Sequence, residues 1–232
     1  MVKSITTGNL VLDGAAELGS YRERLIKSQY EWKLRYVDTG KRLPTVEEYI
    51  IILGQSHERN DPGLLGIIYD LIESALCTGT TIDYRKSNIP LGSGYLDQLL
   101  SDSAWRKGLE DEVFQYDARK AITILQQVSG KRPYIWTPDA AGRKLHPERA
   151  VWLKFNADRF NLYCGLNPIE YYGRSRGVRE VSALGAGKPV QQITCQATNS
   201  PPEDPNRYLP TQQQIDYARR ILDGHPIGRV TE

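Results

Sequence analysis

The sequence predicts an α+β protein with its helices first and an antiparallel sheet after them. Three observations predict it. Apolar residues recur at helical spacing through most of residues 15–130, the period of helices with one buried face. After residue 130 the pattern shortens to alternating runs of five to seven residues bounded by Pro, Gly, Asn and Asp, as strands and turns require. Helices and strands are segregated along the chain, which argues against βαβ units.

The elements follow in order. Residues 15–36 set Leu18, Tyr21, Leu25, Tyr30 and Trp32 among charges at roughly helical intervals. In KRLPTVEEYIIILG, Thr45 precedes Glu48 by three, the capping-box pattern, and Gly54 is a stop. Asp61-Pro62 opens a helix that buries Leu64, Ile67, Ile68, Leu71 and Leu76. TTIDY at 80–84 is a short strand, and SGYLDQLLSDSAWRKGLEDEVF is a helix broken near Gly108. YDARKAITILQQVSGK has Asp117 as cap, Ala121, Ile124, Leu125 and Val128 as face, and Gly130 as terminator. RPYIW is a strand closed by Pro138, and PDAAGRKLHPE is turn chemistry. RAVWLKF and RFNLYC are strands joined through Asn156-Ala157-Asp158 as a hairpin. GVREVSA and KPVQQITCQA are further candidate strands, and 199–210 is a loop with four prolines. TQQQIDYARRILDG closes as a helix between Thr211 and Gly224. This divides the chain into a helical region (1–78), a body (79–187) and an extension ending in a helix (188–232).

The totals exclude several functions. At 232 residues a sizeable core is possible, and 40% hydrophobic with 25% charged residues is ordinary for a globular chain. A net charge of +2, with acidic residues interspersed, does not indicate a nucleic-acid surface. Three cysteines, Cys77, Cys164 and Cys195, have no CxxC spacing and read as buried apolar residues, with a Cys164–Cys195 pair left open. MVKSITTGNLVLDGAAELG lacks the apolar centre of a secretory signal. No run approaches the roughly 20 apolar residues of a membrane span. A soluble protein is expected, and a virion component would look the same.

Catalytic patterns are thin. Gly173-Arg174-Ser175-Arg176-Gly177 matches GxSxG, and Asp204 or Asp216 and then His225 follow in hydrolase order. A nucleophile elbow needs a buried strand before it and a helix after it. The preceding NPIEYY supplies Pro and Glu instead, and the two arginines suit an exposed loop. A small serine hydrolase using Ser175 and His225 is the alternative function, and it predicts labelling by a serine-directed phosphonate. His57, His146 and His225 sit in polar turns without HExxH or HxH spacing, so no metal or cofactor is expected. LGSGY lacks the Lys-Ser/Thr of a phosphate loop. The carboxylates of GLEDEVFQYD read as a solvated helix end. A third possibility is an assembly protein working through the helices at 15–76 and the C-terminal helix.

The most informative stretch is FNADRFNLYCGLNPIEYYGRSRGVRE, residues 155–180. Val151, Leu153 and Phe155, then Phe160, Leu162 and Cys164, can fill a core, because successive strand side chains point to opposite faces. The other positions and the following loop carry Asn156, Asp158, Asn161, Tyr163, Asn167, Tyr171, Tyr172 and Arg174. Tyr gives broad amphipathic contact at low entropy cost, and Asn and Gly give adaptable hydrogen bonding. Composition alone favours an ordinary surface loop.

The frame of this stretch resembles the variable region of proteins diversified by retroelements, in particular archaeal members with a C-type lectin fold. Those proteins show Arg-Phe-x-Leu-x-Cys, a proline a few residues on, and a closing Ser-x-Gly-Val-Arg. Here these are Arg159, Phe160, Leu162, Cys164, Pro168, Ser175, Gly177, Val178 and Arg179. The resemblance implies a C-type-lectin-like body and a variable region at about 150–180. It implies ligand-binding positions at Phe155, Asn156, Asp158, Tyr163, Gly165, Leu166, Asn167, Ile169, Tyr171, Tyr172 and Arg174. Such systems mutate template adenines, so Asn codons become Tyr, Asp, Gly, Ile or Leu; Glu170 requires a different template codon. The implied partner is a protein or glycan on a cell surface, met by a product displayed on virus particles or cells, with neither nucleic acid nor membrane insertion. No Glu-Pro-Asn or Gln-Pro-Asp calcium set occurs, and no cysteine pair matches the formylglycine-generating enzymes that share that fold. In many such proteins the variable region lies at the extreme C-terminus, whereas here about fifty residues follow Arg179.

Overall fold

The computed structural model describes residues 5–7, 10–12, 28–37, 39–61, 63–156, 158–166, 168 and 173–180. Two short strands come first, β1 (Ile5–Thr7) and β2 (Leu10–Leu12). Helices α1 (Gln29–Val37), α2 (Val46–Glu58) and α3 (Gly63–Glu73) follow. Then come β3 (Leu76–Asp83), β4 (Gly94–Tyr95), α4 (Leu96–Leu99) and α5 (Ser103–Leu109), which runs into a π turn at Glu110–Phe114. Helix α6 (Ala118–Ser129), β5 (Arg132–Trp136), α7 (Ala140–Leu145), β6 (Glu148–Phe155), β7 (Arg159–Leu166) and β8 (Val178–Glu180) complete the described chain.

The caps form as the sequence predicts. Glu48 N–H donates to the Thr45 hydroxyl and Thr45 N–H to the Glu48 carboxylate, while Arg42 grips that carboxylate through both terminal nitrogens at 2.6 Å. Burial pushes the Glu48 carboxyl up, but these bonds outweigh it and hold the group below its usual range. Asp117 caps α6 through Lys120 N–H, and Gly130 ends it at φ 63°.

Elsewhere boundaries move. Helix α2 runs through Gly54, which lies against Ile124 of α6 instead of ending the helix. The helix expected at 93–114 is split at 100–102, not at Gly108. The turn expected at 138–148 contains α7. Strands β1 and β2 precede the helices, so the front of the chain is not helical throughout, and the division at 78/79 falls inside β3. Of the helix expected at 15–36, residues 15–27 lie outside the described residues, as do the elements expected within 181–232.

The fold is α+β, but its main sheet is mixed. One sheet has the order β1-β2-β8, and the other β3-β6-β7-β5-β4. Every pairing is antiparallel except β5 with β7. The expectation of an antiparallel sheet is corrected there. β6 and β7 form the hairpin, and β7 folds back between β6 and β5, which puts it beside a strand running its own way.

Both faces of this sheet are covered, unequally. Val151, Leu153 and Phe155 of β6, with Phe160, Leu162 and Cys164 of β7, join the main core with α2, α3 and α6. On the opposite face α1 lays Trp32 and Tyr36 over Cys77, Ala150 and Trp152. The β3 register shifts between Cys77 and Thr81. Gln29 Nε2 donates to the carbonyls of Thr78 and Thr80 within this bulge, at 2.7 and 2.9 Å. Backbone groups that a bulge leaves out of the ladder need such partners when buried. α1 is thereby pinned to β3, and among the described residues no helix covers the β5–β4 end of that face.

Candidate functional site

The β6–β7 hairpin carries the predicted stretch. Phe155 faces Phe160 and Leu153 faces Leu162 in register, and Asn156 N–H donates to Arg159 O at 3.0 Å to close the turn. Phe160, Leu162 and Cys164 are at most 1% exposed, whereas Arg159, Tyr163 and Gly165 on the alternate positions reach solvent. Asn156 is half-buried and Asp158 is exposed, bonded to its neighbour Arg159. Leu166 is half-buried against the α1 cluster.

Three placements differ from expectation. Phe155, predicted at the binding surface, is 2% exposed and packs edge-on to Phe160, so it belongs with the core positions of its strand. Asn161 points away from the core as alternation requires, yet it is buried, because Trp136 reaches over it and donates its indole N–H to Asn161 Oδ1 at 3.0 Å. A Cβ on Gly165 would lie 3.1 Å from Pro138 N, so any side chain there presses on the backbone after β5. Asn167, Ile169, Tyr171 and Tyr172 lie outside the described residues.

The closing segment is buried, not an exposed loop. Arg174 bridges Leu76, with Arg174 N–H donating to Ala75 O at 3.0 Å and Cys77 N–H to Arg174 O at 2.8 Å. Trp32 donates its indole N–H to Gly173 O at 2.9 Å. Arg176 is buried, and its Nε lies 2.8 Å from Asp70 Oδ2 of α3. Arg174 Nη1 approaches the other oxygen of Asp70 at 3.4 Å, so this predicted binding residue is also an anchor. Ser175 is buried, and its hydroxyl turns to Arg176 O. Residues 173–175 run beside β3 and lead into another strand, β8, not into a helix, so the strand–turn–helix setting of a nucleophile elbow is absent there. His225, its expected partner, lies outside the described residues.

Gly173 is required by this packing. A Cβ there would sit 2.4 Å from the Trp152 ring and 2.5 Å from Ala75 O. Gly173→Ala is expected to destabilise by about 1–3 kcal/mol, the cost of overpacking. Thermal unfolding beside the unmodified protein checks this, and an unchanged midpoint would mean that the segment is not held against Trp152.

Beyond the hairpin, the open end of the outer face carries an aromatic strip that the sequence reading missed. Tyr95 of β4 meets Tyr134 of β5 edge-on at 5.2 Å between ring centres, Tyr134 meets Trp136 at 4.9 Å, and Trp136 lies nearly parallel to Tyr163 at 6.2 Å. Guanidinium groups lie over two of these rings, Arg132 4.0 Å from Tyr95 and Arg159 5.0 Å from Tyr134. Each arginine is steadied by a carboxylate, Asp97 and Asp158 respectively. Trp136 remains 40% exposed. The signal was present in RPYIW, whose alternation places Arg132, Tyr134 and Trp136 on one face. Broad rigid rings beside fixed donors are suited to contact with a partner.

Neither of the two described cysteines suits covalent chemistry. Burial pushes the Cys77 and Cys164 thiols well up, keeping them neutral and unreactive. Among the described residues no cluster of three or more His, Cys, Asp or Glu side chains could hold a metal ion, and no helix is long and apolar enough to cross a membrane. Comparison with protein-family models, curated proteins and solved structures gave no match.

Proposed function

We propose that this chain is a ligand-binding protein whose surface, carried by the β6–β7 hairpin and the stretch as far as Arg174, is diversified by a retroelement to recognise protein or glycan molecules on cell surfaces. The C-type-lectin-like reading of the body is part of the same proposal and rests on the resemblance of residues 159–179. One structural observation carries most weight. Six of the nine frame residues, Phe160, Leu162, Cys164, Ser175, Gly177 and Val178, are buried, while Asp158 is exposed and Asn156 and Tyr163 are partly so. A surface can change without loss of fold only where packing and display are divided in this way. The aromatic strip extends the surface through Tyr163 and supplies rings outside the variable stretch.

Sequencing this gene across its source population tests the proposal. Substitutions are expected to concentrate at 156–172 in codons reachable by adenine changes, with Phe160, Leu162, Gly173 and Gly177 unchanged. Rare substitutions spread evenly along the chain would overturn it.

A further inference from the structure

The aromatic strip holds one ring where packing alone would not leave it. Trp136 is 40% exposed, whereas Trp32, Trp105 and Trp152 are buried. Its orientation is nevertheless fixed. The indole N–H donates to Asn161 Oδ1 at 3.0 Å, and Asn161 is fully buried beneath it. Thr137, next in the chain, donates its N–H to Ser93 Oγ at 3.0 Å and its hydroxyl to Gly92 O. A buried amide costs stability unless it is hydrogen-bonded, and here its partner is a ring left in solvent. Tyr163 stands opposite Trp136 in the parallel register, and its ring lies within 12° of the same plane. Together the two rings present a pre-set aromatic platform.

The charges beside the rings identify the class of ligand. Arg132 is paired with Asp97 and lies over Tyr95, and Arg159 is paired with Asp158 and lies over Tyr134. Within each pair the charges cancel, and both carboxylates are exposed. Nucleic-acid bases stack on such rings, but their phosphates need a positive track, and these carboxylates would repel them. Proline-rich peptides also dock on aromatic surfaces. They offer carbonyl acceptors and few N–H donors, so the two carboxylates would lose water without replacement. A sugar meets both needs. Its hydroxyls donate to the carboxylates and accept from the guanidinium groups, while the C–H face of a pyranose lies flat on an indole. We propose that the Trp136–Tyr163 platform, with the Arg132–Asp97 and Arg159–Asp158 pairs beside it, is a binding site for a neutral oligosaccharide. Carbohydrate binding here narrows the ligand class proposed above and rests on that binding reading. It does not rest on diversification, since Tyr95, Tyr134 and Trp136 all precede the variable stretch.

N-bromosuccinimide oxidises exposed indoles, which makes Trp136 the reporter in the unmodified full chain, because the other tryptophans are buried. Oxidation at Trp136 is followed by peptide mass spectrometry with cellohexaose, mannohexaose, maltohexaose or chitohexaose present. At least one of these sugars is expected to slow it about tenfold, and Trp136→Leu to lower the calorimetric affinity for the same sugar about tenfold. Leucine keeps an apolar cover over Asn161 but removes the flat ring. Circular dichroism checks that the variant folds, and the oxidation result stands on the unmodified protein if it does not. Protection by none of the sugars, protection by oligothymidylate or polyproline in their place, or an affinity unchanged in folded Trp136→Leu would each overturn the site. Capture of a cell-surface protein through the hairpin, with no sugar protecting Trp136, would overturn this site and leave the function proposed above standing. Substitutions spread evenly along the gene would overturn diversification and leave this site standing.

Discussion

Asp70→Ala is expected to destabilise the protein by about 3–5 kcal/mol, the usual cost of removing one partner from a buried ion pair. Asp70 is 8% exposed at its side chain and Arg176 2%. The guanidinium approaches one carboxylate oxygen through both Nε and Nη2, and Arg174 approaches the other. Without the carboxylate, two cations remain against α3, one of them almost fully out of water. A charge held away from water that loses its buried carboxylate costs more than the loss of a solvated pair. The effect should therefore exceed that of breaking any exposed pair on the molecule, such as Arg85 with Glu148, for which about 0–1 kcal/mol is ordinary. Urea unfolding of Asp70→Ala, Arg176→Met and the double variant Asp70→Ala/Arg176→Met separates the causes. The double variant should recover much of the loss, because an apolar replacement leaves no buried charge. A single-variant loss below about 1 kcal/mol would show that Arg176 finds water or another partner, and that the closing segment is not anchored through α3.

Phe160→Ala is expected to cost a comparable 3–5 kcal/mol. Phe160 is 1% exposed, and its ring meets Phe155 at 6.3 Å between the two main-sheet strands of the hairpin. Truncation leaves a cavity at the centre of the core shared with the helices, where rigid strands on either side prevent collapse. Tyr163→Ala, three residues on and on the other face, removes one half-exposed ring from its contact with Trp136 and is expected to cost about 1 kcal/mol or less. Denaturant unfolding of both variants measures the contrast. Similar losses would remove the division between packing and display on which the proposed binding function depends.

Local physics made much of this legible. A capping box is closed within four residues, so Thr45 and Glu48 declare the start of α2 without knowledge of anything distant. Asp117 and Gly130 mark α6 for the same reason. Strand alternation has a period of two, so Phe160, Leu162 and Cys164 were identifiable as core from their own spacing. Asp70 left a fainter trace: it lies three residues after Ile67 and beside Leu71, so a carboxylate borders the apolar face of α3 and needs a buried partner.

The partner itself was not legible. Arg176 stands 106 residues further on, in a pentapeptide whose two arginines suggest an exposed loop. Alternation assigns a residue to a face of its strand, but what lies over that face depends on other elements. Asn161 is buried because Trp136 crosses it, and Tyr163 is part of a strip because β7 inserts beside β5 in parallel register. By itself the sequence determined an α+β protein, the ends of its capped helices and the inward side of its hairpin, because each of these is set by neighbours within one or two turns of chain. Strand order, the covered and open halves of the outer face, and the burial of the closing segment were decided only by the tertiary structure, because burial depends on which distant surfaces the fold brings opposite a side chain.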